Sequence, residues 1–144
     1  MNHVSGLADL ERRMKALARD QATKVGQAAN RAGTKKLADS IRAEAPEGPT
    51  PEGQLMNRKR KSGKVVQEPH KKIKNHVKIK KVRVSEGSVE NAVSIDVVHA
   101  GMVEFGSIHN PADPFMTRGF EKAKDDAIEE VKKVIDRRLK EAGV

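Results

Sequence analysis

The sequence predicts an α+β domain. Three observations carry that expectation. Apolar residues recur every three to four positions at both ends of the chain, and switch to every second position in between. A proline-rich break separates the first helical region from the alternating one. Runs of helix and of strand that do not interleave fit helices packed to one side of a small antiparallel sheet. At 144 residues the chain is expected to form a single domain spanning 1–144.

Residues 1–45 read as helical. Val4, Leu7, Leu10, Met14 and Leu17 lie on one helical face, with Ser5 placed to cap the start. Val25, Ala28, Ala32, Leu37, Ile41 and Ala45 continue a looser stripe of small residues. Gly26 and Gly33 each cost about 1 kcal/mol relative to Ala inside a helix. The region is therefore either two helices broken near Asp20 or one helix weakened at its glycines.

Pro46, Pro49 and Pro51 then forbid regular structure, and 46–70 reads as a flexible loop. Its portion from Met56 to Gly63 reads as a mobile basic tip. Region 71–106 reads as a β-hairpin. Ile73, Val77 and Ile79 share one phase, while Val82 and Val84 share the other, so a bulge is expected near Lys80–Lys81. Glu86–Ser88 is the expected turn. Val93, Ile95 and Val97 alternate inward on the second strand.

Residues 113–142 read as a long helix. Asp113 is the expected N-cap, with Pro114 at the first helical position. Phe120, Ala123, Ala127, Ile128, Val131, Val134, Ile135 and Leu139 form its apolar stripe. Glu129–Lys133 and Asp136–Lys140 are i,i+4 ion pairs, and Gly143 ends the helix.

The composition excludes several functions. There is no cysteine, hence no disulfide and no thiolate chemistry. No apolar run approaches the ~20 residues of a membrane span, and the opening "MNHVSGLADLERRMK" has no signal-peptide core. A protein without membrane association or classical export is expected. His3, His70, His76, His99 and His109 contain no i,i+4 zinc pair. "GKVVQEP" lacks the second Gly and the Ser/Thr of a phosphate loop. Asp125/Asp126 and Glu129/Glu130 fall on the outer side of an amphipathic helix. The expectation is a non-enzyme with no cofactor and no metal.

The net charge of +9 is unevenly spread. Gln54–Val84 holds twelve cations (Arg58, Lys59, Arg60, Lys61, Lys64, Lys71, Lys72, Lys74, Lys78, Lys80, Lys81 and Arg83) against one acid, Glu68. The rest of the chain holds 17 Lys/Arg and 19 Asp/Glu, a balance of −2. Three readings stay open for this segment: a solvated arm, a contact to an acidic protein, or a non-specific nucleic-acid surface over 58–83. It contains no aromatic residue on which bases would stack.

All three Phe of the chain, and none of its absent Trp or Tyr, lie in "HAGMVEFGSIHNPADPFMTRGF", residues 99–120. Physically, Phe105, Phe115 and Phe120 read as a staple pinning hairpin to helix, each worth about 1.5–3 kcal/mol if buried. Gly106 allows a tight turn, and Pro111 and Pro114 stiffen the connection.

The pattern Val103–Glu104–Phe105–Gly106–Ser107, then Pro111–Ala112–x–Pro114–Phe115–Met116–x–x–x–Phe120–Glu121, resembles the signature of a tail-component family of lambda-like long-tailed bacteriophages. This is the "gene product ten" family of tail-completion, or neck, proteins. "SGLADLERRMKAL" and "APEGPTPEGQLMNRKRKS" are similar to that family's opening and central segments. The resemblance implies a structural virion protein that completes the tail and joins it to the head as an oligomeric ring. It implies partners among its own copies, a head-closure or connector protein and a tail-terminator or tail-tube protein; for the basic arm, acidic neighbours and non-specific DNA contact both stay open. It implies a location at the head–tail junction or tail of the virion, and in the host cytoplasm during assembly.

Overall fold

The computed structural model describes residues 6–85 and 87–144. Val4, the Ser5 cap and Glu86 of the turn lie outside the described residues. The fold is α+β, with helices, two small antiparallel sheets and a long C-terminal helix.

The N-terminal region forms two helices, α1 (Leu7–Lys15) and α2 (Arg19–Glu44). The break falls at Ala16–Ala18, just ahead of Asp20, where Ala18 is extended at ψ 142°. α2 continues unbroken through Gly26 and Gly33, because each glycine faces a neighbour rather than solvent. A Cβ on Gly33 would lie 2.6 Å from Val131 Cγ2. Close packing thus outweighs the weak helix propensity.

α2 is the central element. On one side lies α4 (Phe115–Glu141), running antiparallel. On the other lies a ribbon of β3 (Val77–Ser85) and β4 (Ser88–Ile95). Small residues hold α2 and α4 close: Ala29, Gly33 and Ala38 from α2, and Gly119, Ala123 and Ala127 from α4, are buried. This close approach moves two large side chains of the expected α4 stripe to its flanks, while Val134 and Leu139 stay buried. Phe120 is 47 % exposed and Ile128 42 %. Ser40 Oγ donates to the Gly119 carbonyl at 2.8 Å, and Asn30 Nδ2 to the Val89 carbonyl at 2.6 Å, tying α2 to both neighbours.

The bulge in β3 sits at Val82, between Lys81 and Arg83. It returns Val84 to the phase of Val77 and Ile79, opposite Val89. Ile73 begins a short 3-10 turn (Ile73–His76) rather than strand, and is buried. The core gathers Ala38, Ile41, Ile73, Val77, Val97, Ala100 and Phe115.

Two whole segments need correction. The region read as a flexible loop contains a second hairpin, β1 (Leu55–Lys59) paired with β2 (Val65–Pro69). It ends in a turn closed by Arg60 N–H to the Lys64 carbonyl at 2.8 Å. This arm packs chiefly on itself, so neither strand has the apolar alternation that burial imposes. Second, residues 100–105 are not the end of a hairpin but a short helix, α3 (Ala100–Phe105).

At the C-terminus, Gly143 donates to the Lys140 carbonyl and Val144 to that of Leu139, with Gly143 at φ 75°. That is a Schellman closure. Arg13 of α1 meets this end, reaching Asp136 at 2.9 Å and the Val144 carbonyl at 3.0 Å. On α4, Asp136 pairs with Lys140, while Glu129 meets Lys132 at 3.2 Å.

Candidate functional site

The 103–120 motif folds as one unit, but not as an aromatic staple. Phe115 is fully buried in the core, whereas Phe105 is 84 % exposed and Phe120 flanks α4. Phe105 closes a six-residue helix whose buried face is supplied by Ala100 and Glu104, which leaves its ring in solvent.

Glu104 is the hinge of the unit. Its side chain is buried, yet its carboxylate is satisfied. It accepts the Met116 N–H at 2.8 Å, the Thr117 N–H at 3.2 Å and the Thr117 hydroxyl at 2.7 Å. A carboxylate on the first free amides of a helix satisfies orphan donors and meets the positive end of the dipole. The cap of α4 therefore comes from α3, not from Asp113. Asp113 pairs instead with Arg118 at 2.6 Å, and Arg118 also reaches Glu44 at the end of α2.

The intervening loop is tied down. Asp113 N–H donates to the Val103 carbonyl at 2.8 Å, and Ser107 N–H to that of Asn110 at 2.9 Å. Gly106 adopts φ 81°, and a Cβ there would lie 2.9 Å from the Ala112 nitrogen. Pro111 and Pro114 stay at the surface of this turn.

Val103 is partly buried against the core. The opposite side of α3 is apolar and uncovered. Met102 and Phe105 on this helix, and Val98 (75 % exposed) and Ile108 (95 % exposed) on the turns either side of it, are each exposed. Val98, Met102 and Phe105 recur at helical spacing, a signal in the sequence that the strand assignment of this region hid. Beside it, a cleft of about 510 Å³ opens between the proline loop and α3, lined by His70, His99, Met102 and Asp113 among others. The arm adds Leu55, Met56 and Val65 as further exposed apolar side chains.

The twelve cations separate into two groups. Four face carboxylates. Lys72 and Lys74 hold Glu47 at 2.9 and 2.6 Å, and Arg58 and Arg60 meet Glu68. The two lysines hold the Glu47 carboxyl far down, at about 2, Lys74 contributing most. Glu52 is likewise held at about 2, by His76 at 2.8 Å and the Lys72 N–H. The acids of the proline loop thus bind the root of the basic segment. Lys59, Lys61, Lys64, Lys71, Lys78, Lys80, Lys81 and Arg83 are exposed and form no ion pair among the described residues.

The arm meets the body where His70 stacks on His99, ring centroids 5.5 Å apart and 13° from parallel. Burial, then the neighbouring His70 and Arg58, lower the pKa of His99. Among the described residues no group of three or more His, Asp or Glu is placed to hold a metal ion, and no helix is long and apolar enough to cross a membrane. The described residues offer an apolar side of α3, an arm with exposed apolar side chains, and a set of cations without ion pairs among the described residues. Compared with protein-family models, curated proteins and solved structures, the chain finds no match in any of the three.

Proposed function

We propose that the chain is a structural virion protein of a tailed phage. In this reading it completes the tail and joins it to the head as one subunit of an oligomeric ring at the neck. The motif resemblance at 103–121 is the origin of the reading. The observation that carries it furthest is how that motif is used. Glu104, Gly106 and Phe115 lock α3 onto the start of α4, and the face so fixed presents Val98, Met102, Phe105 and Ile108 to solvent. Single exposed apolar residues are ordinary on a monomer, but a group fixed on a rigid support marks a surface meant to be covered. Its partners would be other copies of the chain, a head-closure or connector protein, and a tail-terminator or tail-tube protein.

The test is electron microscopy of lysates from a phage or induced prophage lacking this reading frame, complemented with wild type or with Phe105→Ser/Ile108→Ser. Filled heads beside unattached tails, rescued by wild type alone, support the reading. Complete particles without the protein overturn it.

A further inference from the structure

We propose that the outward face of β3, with the tip of the β1–β2 arm, is a phosphate-backbone surface that binds double-stranded DNA without regard to sequence. The inference goes beyond the assembly reading and stands on a separate observation, the division of cations by their partners.

The register places Lys78 opposite Ser94, Lys80 opposite Ala92 and Arg83 opposite Glu90. These share the face turned away from α2, because Ile79, Val93 and Val89 take the inner phase. The Val82 bulge is what keeps the row intact. Without an extra residue, Arg83 would fall on the inner phase with Lys81. Lys78 and Lys80 are spaced by about 6.8 Å, two residues of extended strand. Lys59, Lys61 and Lys64 repeat the character at the arm tip.

The acids of this region are already engaged elsewhere: Glu47 by Lys72 and Lys74, Glu68 by Arg58 and Arg60, Glu52 by His76. Among the described residues of β3 and β4, Glu90 is the one acid on the outer face with the row, and the exposed Asp96 follows the end of β4. The surface holds no aromatic; on β3 only Val82 and Val84 are exposed large apolar side chains, and at the arm tip Val65. Protein interfaces centre on aromatic and apolar anchors, and single-strand readers need stacking platforms. A row of cations without either fits the backbone of a duplex, where phosphate contacts position but do not specify.

The experiment is fluorescence anisotropy of the full chain on a labelled DNA duplex, titrated between about 50 and 200 mM salt. Two variants with the same change in net charge are compared: Lys78→Gln/Lys80→Gln and Lys72→Gln/Lys74→Gln. The first should flatten the slope of log K against log salt by about 2, and adding Arg83→Gln by about 1 more. The second should flatten it by less than about 1, because Glu47 already occupies both lysines. Duplexes of unrelated sequence should bind alike. Lys15→Gln/Lys140→Gln, each lysine already paired with a carboxylate on its own helix, serves as a control should the Lys72/Lys74 variant lose its fold by circular dichroism. Equal losses in the row variant and a folded control would mean diffuse attraction to net charge and overturn the proposal. So would tighter binding to an acidic polypeptide or to single strands than to the duplex, or no binding at the lowest salt. None of these outcomes bears on the particle phenotype that tests the assembly reading.

Discussion

The Glu104 carboxylate sits 2.8 Å from the Met116 backbone nitrogen, so the start of α4 is capped by a residue twelve positions earlier, on a different helix. Three donors converge on this one buried side chain. Replacing it leaves three donors of a helix N-terminus without their partner, at the half-buried Met116 and the exposed Thr117. Glu104→Ala should cost about 2 kcal/mol, and Glu104→Gln about half of that. Urea denaturation followed by far-ultraviolet circular dichroism measures both, there being no Trp or Tyr to report by fluorescence. A loss no larger than that of the surface change Glu141→Ala would show that α4 starts without this cap.

Two glycines in α2 should respond to alanine with opposite signs. A Cβ on Gly26 meets only Val89 Cγ2, at an ordinary 3.6 Å, so Gly26→Ala should stabilise by about 0.5–1 kcal/mol. At Gly33 a Cβ would lie 2.6 Å from Val131 Cγ2 and 3.0 Å from the Ala127 carbonyl oxygen. Gly33→Ala should destabilise by about 1–3 kcal/mol despite the better helix propensity. Gly119→Ala should behave like Gly33→Ala or worse, since its Cβ would meet the Ile41 backbone at 2.6 Å. Melting temperatures of the three variants decide the matter.

Acid should release the proline loop from the root of the basic segment. Glu47 and Glu52 titrate at about 2 when folded, below their ordinary value of 4.5. Carboxyls lowered on folding contribute their full share above about pH 4.5 and lose it as pH falls toward 2. The melting temperature should drop through that window, and Glu47→Gln should shallow the drop. Molar salt should shrink the effect, because both carboxylates are solvent-exposed.

The arm should loosen at higher pH than the proline loop does. His99 is held below its ordinary 6.5 by burial and by His70 and Arg58. A histidine lowered on folding gives no penalty above about 6.5, and costs stability as pH falls through and below that value, since the unfolded chain takes the proton first. Imidazole carbon-bound proton shifts should place the His99 midpoint below 6.5, and His70→Gln should move it upward. An unchanged midpoint in His70→Gln would mean that the stack leaves His99 unaffected.

The exposed α3 face should matter for assembly and not for folding. Phe105→Ser/Ile108→Ser should unfold within about 0.5 kcal/mol of wild type, as surface substitutions do. It should nevertheless fail to complement a lysate lacking the protein. A large loss of stability would place these side chains in the fold of the single subunit instead.

Much of the fold was legible where one face of an element is buried. Helices α1, α2 and α4, the β3–β4 ribbon and a bulge in it follow from apolar spacing, because burial writes a period into the chain; α3 was read as strand. The arm was not legible for the same reason: Leu55–Lys59 and Val65–Pro69 pack on little but each other, and nothing selects alternation. The aromatic window was read correctly as a unit and wrongly as a cluster. Phe115 is core, but Phe105 faces water, and Glu104, a charged residue, takes the buried place. A cap reaching across from another helix leaves no local spacing to recognise. Among the basic residues, charge density in the sequence could not separate Lys72 and Lys74 from Lys78 and Lys80. The difference is Glu47, some 25 residues away in the chain and 2.6 Å away in space from Lys74.

The antiparallel contact between α2 and α4 has a mechanical side. Gly33 receives Val131 and Ala127, and Gly119 receives Ile41, so each helix carries one notch filled by the other. The two notches are eight residues apart along either helix, about 12 Å. Sliding one helix by a single turn would drive a side chain into backbone at both notches at once. The pair therefore behaves as a keyed beam that can tilt as a whole but cannot shear. Any adjustment of shape on meeting a neighbour is left to the parts mounted on it: the arm, hinged at two imidazoles, and the short α3.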